Sequence, residues 1–286
     1  MAGNPYARLL VYQSPMSLSR KVIPPKNLKP VRLKISDSVD LLASLNLTLL
    51  DIVLAITIVA IGTAIQSAIG FGLAMVAAPL LVLISRSFVP GPLIVAALFL
   101  VVWMSYADRH ALDLSNLKAA LMGRLIGTPP AALLIGSLSA ATYDLVFGSL
   151  VLLAVLISLI HTNISASPRN VFLATIASGF MSTISSIGGP PLALVYQNAR
   201  GPALRANLSI LFTMGCIVSL TALILVGKFQ LRDLVYSAIL LLGVIPGVSL
   251  SGPIKRRIYK QTVRPILLGL CAISALLVLG RAFILL

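Results

Sequence analysis

From about residue 46 to the C-terminus, apolar residues run almost without interruption, separated only by short polar or glycine-containing stretches. The runs fall at 47–66, 72–85, 91–107, 117–137, 140–160, 169–187, 189–199, 205–227, 231–251 and 264–286. A helix needs about 20 predominantly apolar residues to cross a bilayer, so the pattern predicts an all-α polytopic membrane protein with eight to ten membrane segments. The runs 72–85 and 189–199 are too short to cross, and each directly follows a glycine-containing break. Two interrupted helices are therefore expected, one in each half of the chain.

The spacing of unusual residues points to an internal repeat. Ile69-Gly70 matches Ile187-Gly188 at an offset of 118, while Asp113-Leu114 matches Asp233-Leu234, and Gly123 and Gly127 match Gly243 and Gly247, at 120. Two repeats, 45–160 and 161–286, each beginning with an interrupted helix, would form one membrane domain. With five segments per half, the second is inverted, an arrangement that brings the breaks together near the bilayer midplane. Residues 1–44 carry Pro5, Pro15, Pro24, Pro25 and Pro30 among basic and polar residues, too little apolar surface for folding alone, and read as a basic, disordered tail.

Composition agrees with the pattern. Of 286 residues, 58% are hydrophobic and 10% charged, and the net charge is +15; soluble domains carry about 25% charged residues. The basic excess clusters in the first 34 positions and between Lys255 and Arg264. Clusters flanking apolar spans suit a membrane surface rather than a nucleic acid. Weighting short loops over long tails puts the Lys255 loop in the cytoplasm. Cys216 and Cys271 lie in separate apolar runs, so neither a disulfide nor a zinc site is expected.

Candidate chemistry concentrates at the two breaks. The first reads Gln66-Ser67-Ala68-Ile69-Gly70-Phe71-Gly72, running into Ala78-Pro79-Leu80. The second reads Ser178-Gly179, then Ser182-Thr183-Ile184-Ser185-Ser186-Ile187-Gly188-Gly189-Pro190-Pro191-Leu192. Inside hydrocarbon, an interrupted helix is tolerated only where protein, water or a ligand satisfies the freed backbone groups. Half-helix N-termini carry partial positive charge and outward N–H groups, which suit an oxyanion, and neighbouring hydroxyls add donors. The competing reading is that these small residues merely let helices approach closely.

Arg124 is the basic residue deepest inside an apolar run. A charge at mid-bilayer costs about 2.5–3.5 kcal/mol on insertion scales. It is expected to pair with Asp51 or Asp144 across the bundle, to meet an external anion, or to snorkel to the surface. Arg205, beside Asn207, is a weaker candidate of the same kind.

The run G-x-x-x-Q-S-x-I-G-F-G with its downstream A-P-L-L, followed by S-G-x-x-S-x-x-S-S-I-G-G-P-P-L, resembles the sulfite exporter TauE/SafE family over about residues 47–285. The resemblance implies a bacterial inner-membrane, multi-pass permease for sulfite, organosulfonates or related small anions. It attaches that role to Gln66, Ser67, Gly70, Gly72 and Pro79, and to Gly179, Ser185, Gly188, Gly189, Pro190 and Pro191. Together with Arg124 and Ser186, the expected substrate-binding residues are Gln66, Ser67, Gly70, Gly72, Ser185, Gly188 and Gly189, with Pro79, Pro190 and Pro191 as structural breaks.

Coupled carriers commonly place Asp, Glu or His within the bundle. Here His110 and His161 sit at loop edges and no carboxylate lies mid-span. An anion leaving a negative interior gains about 2.3 kcal/mol per charge per 100 mV, so export can run on voltage alone. No cofactor, metal or catalytic residue is expected: the chain has no H-E-x-x-H, and its serines lack an obvious base. The expected partners are a small anion and the lipid bilayer, with homo-oligomerisation left open. The alternative function is a non-transporting structural or assembly membrane protein, which would seal its glycines at helix crossings.

Overall fold

The computed structural model describes residues 47–160, 164–199, 201–257 and 260–285, with the side chains of 253–264 and 285 outside the description. The basic tail, His161, Arg200 and the side chains of the Lys255–Arg264 stretch therefore lie outside the described residues. Among those described there are ten α-helices and no strands. They are α1 (Leu49–Ile69), α2 (Leu73–Ile84), α3 (Gly91–Ala107), α4 (Leu117–Ser137), α5 (Ala140–Leu159), α6 (Pro168–Ser185), α7 (Gly189–Val195), α8 (Gly201–Leu225), α9 (Leu231–Arg257) and α10 (Lys260–Leu285). Single 3₁₀ turns, Arg86–Phe88 and Arg109–Ala111, flank α3.

Local chemistry sets the helix starts. Thr48 and Asp51 form a reciprocal capping box at α1. Ser139 and Ser167 accept from the Thr142 and Asn170 amides at the starts of α5 and α6.

Seven helical stretches among the described residues are long and apolar enough to cross a membrane: α1, Arg86–Ala107, α4, α5, α8, Leu231–Gly252 and Pro265–Ile284. Their outward faces carry exposed Leu50, Val53, Phe99, Leu133, Leu156, Leu276 and Phe283. In lipid such a face carries no hydrophobic penalty. The chain is a polytopic membrane protein.

The run expected at 169–187 behaves differently. Helix α6 has 18 residues, but Asn170, Thr175, Ser178, Ser182, Thr183 and Ser185 make it too polar to count among the seven. Most of these hydroxyls donate back to carbonyls of their own helix, as Thr175 does to Val171, Thr183 to Gly179 and Ser185 to Met181. Its inner face is buried from Val171 to Ser185, so neighbouring helices rather than lipid surround its polar stripe.

The strongest helix pairings follow one rule. The most extensive contacts made by α1 to α5 have counterparts when α6 to α10 replace them in order. Thus α1 packs on α9 as α6 packs on α4, α3 on α9 as α8 on α4, and α2 on α10 as α7 on α5, while α3 meets α8 and α5 meets α10. The four spaced glycines explain the closest crossings. A Cβ on Gly123 or Gly127 of α4 would collide with the Phe172 and Ile176 carbonyls of α6. One on Gly243 or Gly247 of α9 would lie 2.5 Å from the Ile56 and Ala60 carbonyls of α1. Small residues at these places let two backbones approach.

Near one end of the bundle an ion cluster around the buried Asp144 ties three helices together. Asp144 of α5 accepts from Arg86 Nε at 2.8 Å, and from Arg281 Nε and Nη2 at 2.9 and 3.0 Å. Arg281 also donates to the Val82 carbonyl of α2 at 3.0 Å.

Candidate functional site

Both expected breaks are present. Helix α1 ends at Gly70 (φ +107°), α2 begins after Gly72 (φ +135°), and only Phe71 lies between these two caps. Positive φ at these values is open to glycine alone without strain. The second break turns at Ser186 (φ +63°), the one non-glycine residue with positive φ among those described, and α7 starts after Gly188.

Gln66 spans the first break. Its backbone carbonyl accepts the Gly70 amide at 2.7 Å, and its side-chain Oε1 accepts the Leu73 amide at 2.9 Å. The carboxamide NH₂ is left for another acceptor. Pro79 breaks the α2 ladder by lacking an N–H, which frees the Met75 carbonyl. The thiol of Cys271, on α10, donates to that carbonyl at 2.8 Å. Cys271 is thus a hydrogen-bond donor to a freed backbone group.

The second break is held by side chains in a similar way. Ser178 Oγ donates to the Gly188 carbonyl at 2.6 Å, Ser185 Oγ accepts the Ile187 amide at 3.3 Å, and Ser186 Oγ donates to the Pro90 carbonyl at 3.1 Å. Tyr143 reaches in from α5 to the Ile184 carbonyl. Helix α7 has only seven residues, and Pro190 and Pro191 occupy its first turn without N–H groups. Its start therefore offers a ligand fewer amides than the expected half-helix N-terminus.

Between the breaks lies a cavity of about 50 Å³. Its wall includes Gln66, Phe71 and Gly72 from the first break and Ser186, Gly188 and Gly189 from the second, with Arg124 of α4 and Gly215, Cys216 and Ser219 of α8. The breaks touch: a Cβ on Gly189 would lie 3.3 Å from the Phe71 ring. Three expected residues are elsewhere. Gly70 rests against Arg205 and Leu208, Ser185 is fully buried with its hydroxyl bonded to backbone, and Ser67 is buried with an unpartnered hydroxyl away from this wall.

Arg124 is only 4% exposed, which removes the snorkelling alternative. Its expected acidic partners are committed elsewhere, Asp144 to Arg86 and Arg281, and Asp51 to the α1 cap. Among the described residues no carboxylate pairs with it. Nη1 donates to Ser178 Oγ at 3.1 Å, and Nε has no partner. The guanidinium sits against α8 at Gly215, where a Cβ would overlap it. Arg205 makes the opposite choice, pairing through Nε and Nη2 with Asp108 at 2.9 and 3.0 Å.

The arrangement can hold a small anion. A guanidinium stays charged at neutral pH and presents several N–H groups in one plane. Here one is used by Ser178, and Gln66 and Ser219 share with Arg124 the wall of a cavity too small for a bulky solute. Ser178, Gly215, Cys216 and Ser219 were not among the expected binding residues. The i, i+1 glycine-cysteine step opposite a buried arginine carries no sequence signal until the helix pairing is known.

The protein is a polytopic helical bundle whose two interrupted helices border a buried arginine that has no carboxylate partner among the described residues. The chain belongs to the sulfite exporter TauE/SafE family, whose family model matches residues 54–278. No curated protein and no solved structure matches it.

Proposed function

We propose that this protein is a permease that exports small oxyanions across a bacterial inner membrane, with sulfite or an organosulfonate as substrate and Arg124 as the charged ligand. The observation that carries the reading is a guanidinium buried in a membrane span with no carboxylate beside it among the described residues. Burying such a charge costs several kcal/mol unless it is compensated, and an anion arriving in the cavity supplies the missing partner. Gln66 adds a donor, while Gly72, Gly188 and Gly189 keep the walls thin where the breaks adjoin. Ser185 and Pro79 support the breaks rather than touch the anion.

Residues 45–160 and 161–286 act in this reading as two repeats, the second inverted. The paired helix contacts and the matched glycine crossings support that division. The break glycines Gly72, Gly188 and Gly189 line a cavity instead of a helix crossing, which favours transport over a purely structural role.

Counterflow in liposomes across sulfite, sulfonates, thiosulfate and carboxylates, with and without an imposed voltage, tests the function. Saturable sulfite or sulfonate exchange that follows the voltage is expected. Equal trapping in protein-free vesicles would contradict it.

A further inference from the structure

Phe71 has a position that no other described residue shares. It is the single residue between the α1 and α2 caps, with Gly70 and Gly72 on either side at φ +107° and +135°. Its ring meets Gly189, the first residue of α7. It walls the Arg124 cavity and also a second, larger cavity of about 290 Å³. That second space is lined mainly by apolar side chains, among them Ile69, Ile157, Leu194 and Leu267. Gly72 and Met75 border both spaces as well, but only Phe71 brings a ring with a glycine on each side.

We propose that Phe71 is the partition between these two cavities, and that rotation about its flanking glycines admits the anion to Arg124 and limits its size. Two glycines in a conformation closed to other residues form a backbone pivot with little steric resistance. An aromatic ring across the passage excludes water and hydrated ions while it is closed. The small inner cavity then accepts only a compact, largely dehydrated oxyanion. This inference rests on the reading of the Arg124 cavity as the anion site.

Cys216 lines the inner cavity and is a built-in reporter. The chain has two cysteines, so in a Cys271→Ala background Cys216 is the single thiol. Its modification rate is measured in the full-length purified protein with (2-sulfonatoethyl) methanethiosulfonate and with the neutral methyl methanethiosulfonate, for Phe71→Ala, Phe71→Leu and Phe71→Trp. A partition open about 0.1–10% of the time slows labelling correspondingly, so Phe71→Ala should label about tenfold faster or more with both reagents. Phe71→Leu should fall between, and Phe71→Trp should be slower than the parent. Phe71→Ala should also carry benzenesulfonate that the parent excludes. Equal labelling rates across the series, in proteins with unchanged thermal unfolding, would overturn the proposal. If Phe71→Ala does not fold, the ordering of Leu, Phe and Trp decides. Arg124→Gln separates the two readings. Retained sulfite flux in that variant would refute the anion site, whereas neutral-reagent labelling that still depends on residue 71 would uphold the partition.

Discussion

Arg124 of α4 donates to Ser178 of α6 across 3.1 Å, and the same Ser178 hydroxyl donates to the Gly188 carbonyl at 2.6 Å. One side chain thus connects the buried charge to the second helix break. A hydroxyl can serve both bonds because it accepts with a lone pair while donating its proton. Occupation of the cavity by an anion would be felt at the break through this link.

Ser178→Ala removes both bonds at once. A hydrogen bond to a charged group contributes about 1.5–3 kcal/mol, but the freed guanidinium can turn toward substrate, so a net weakening of sulfite binding of about tenfold is expected. Titration calorimetry on the purified variant checks it. Unchanged affinity with unchanged flux would make the link ornamental.

Asp144→Asn leaves Arg86 and Arg281 facing each other without a carboxylate. Removing one partner of a wholly buried pair costs about 3–5 kcal/mol. Both arginine side chains are about a third exposed, so about 2 kcal/mol is expected, read as a lower Tm in detergent. Sulfite affinity should stay within about twofold, since this cluster is separate from the cavity wall and distant, independent sites couple little.

Gly127→Ala and Gly247→Ala test the repeat. Each new methyl would meet a carbonyl of the facing helix, Ile176 in one case and Ala60 in the other. Overpacking of this kind costs about 1–3 kcal/mol. Closely similar falls in Tm are expected; a large fall at one position and none at the other would argue against equivalent halves.

Cys271→Ala strands the Met75 carbonyl that Pro79 freed. An unsatisfied buried acceptor costs about 1–3 kcal/mol, and a thiol is a weak donor, so a loss near the lower limit is expected. Cys271→Ser should keep the bond and recover most of the Tm. A serine variant as unstable as the alanine one would show that packing, not the bond, is what Cys271 supplies.

Much of this was legible in the sequence because lipid imposes a strong constraint on the pattern. The runs at 91–107 and 117–137 coincide with α3 and α4, and the breaks at Gly70–Gly72 and Ser186–Gly188 are where apolar periodicity gives way to residues that tolerate unusual φ. Arg124 stood out as a charge with no local partner. What the sequence withheld is cross-helix pairing. Arg124 and Ser178 are 54 positions apart, Asp144 and Arg281 are 137, and Cys271 and Met75 are 196. Nothing in a near-uniform apolar helix states which face meets which neighbour. Asp144, one of several partners open to Arg124 in the sequence, meets Arg86 and Arg281 instead, and Gly215, whose missing side chain gives the guanidinium its seat, is invisible. The polar α6 read as one more span, because hydroxyls that bond their own helix look the same in sequence as hydroxyls aimed at a ligand.

The central claim is that the Arg124 guanidinium is the charged ligand of a transported anion. Titration calorimetry of sulfite into purified wild-type protein and Arg124→Gln, at matched Tm, tests it most directly. Losing a charged hydrogen-bonding partner of about 1.5–3 kcal/mol predicts saturable binding in the wild type and an affinity about 10- to 100-fold weaker in the variant. Equal affinity in the two proteins would contradict the account.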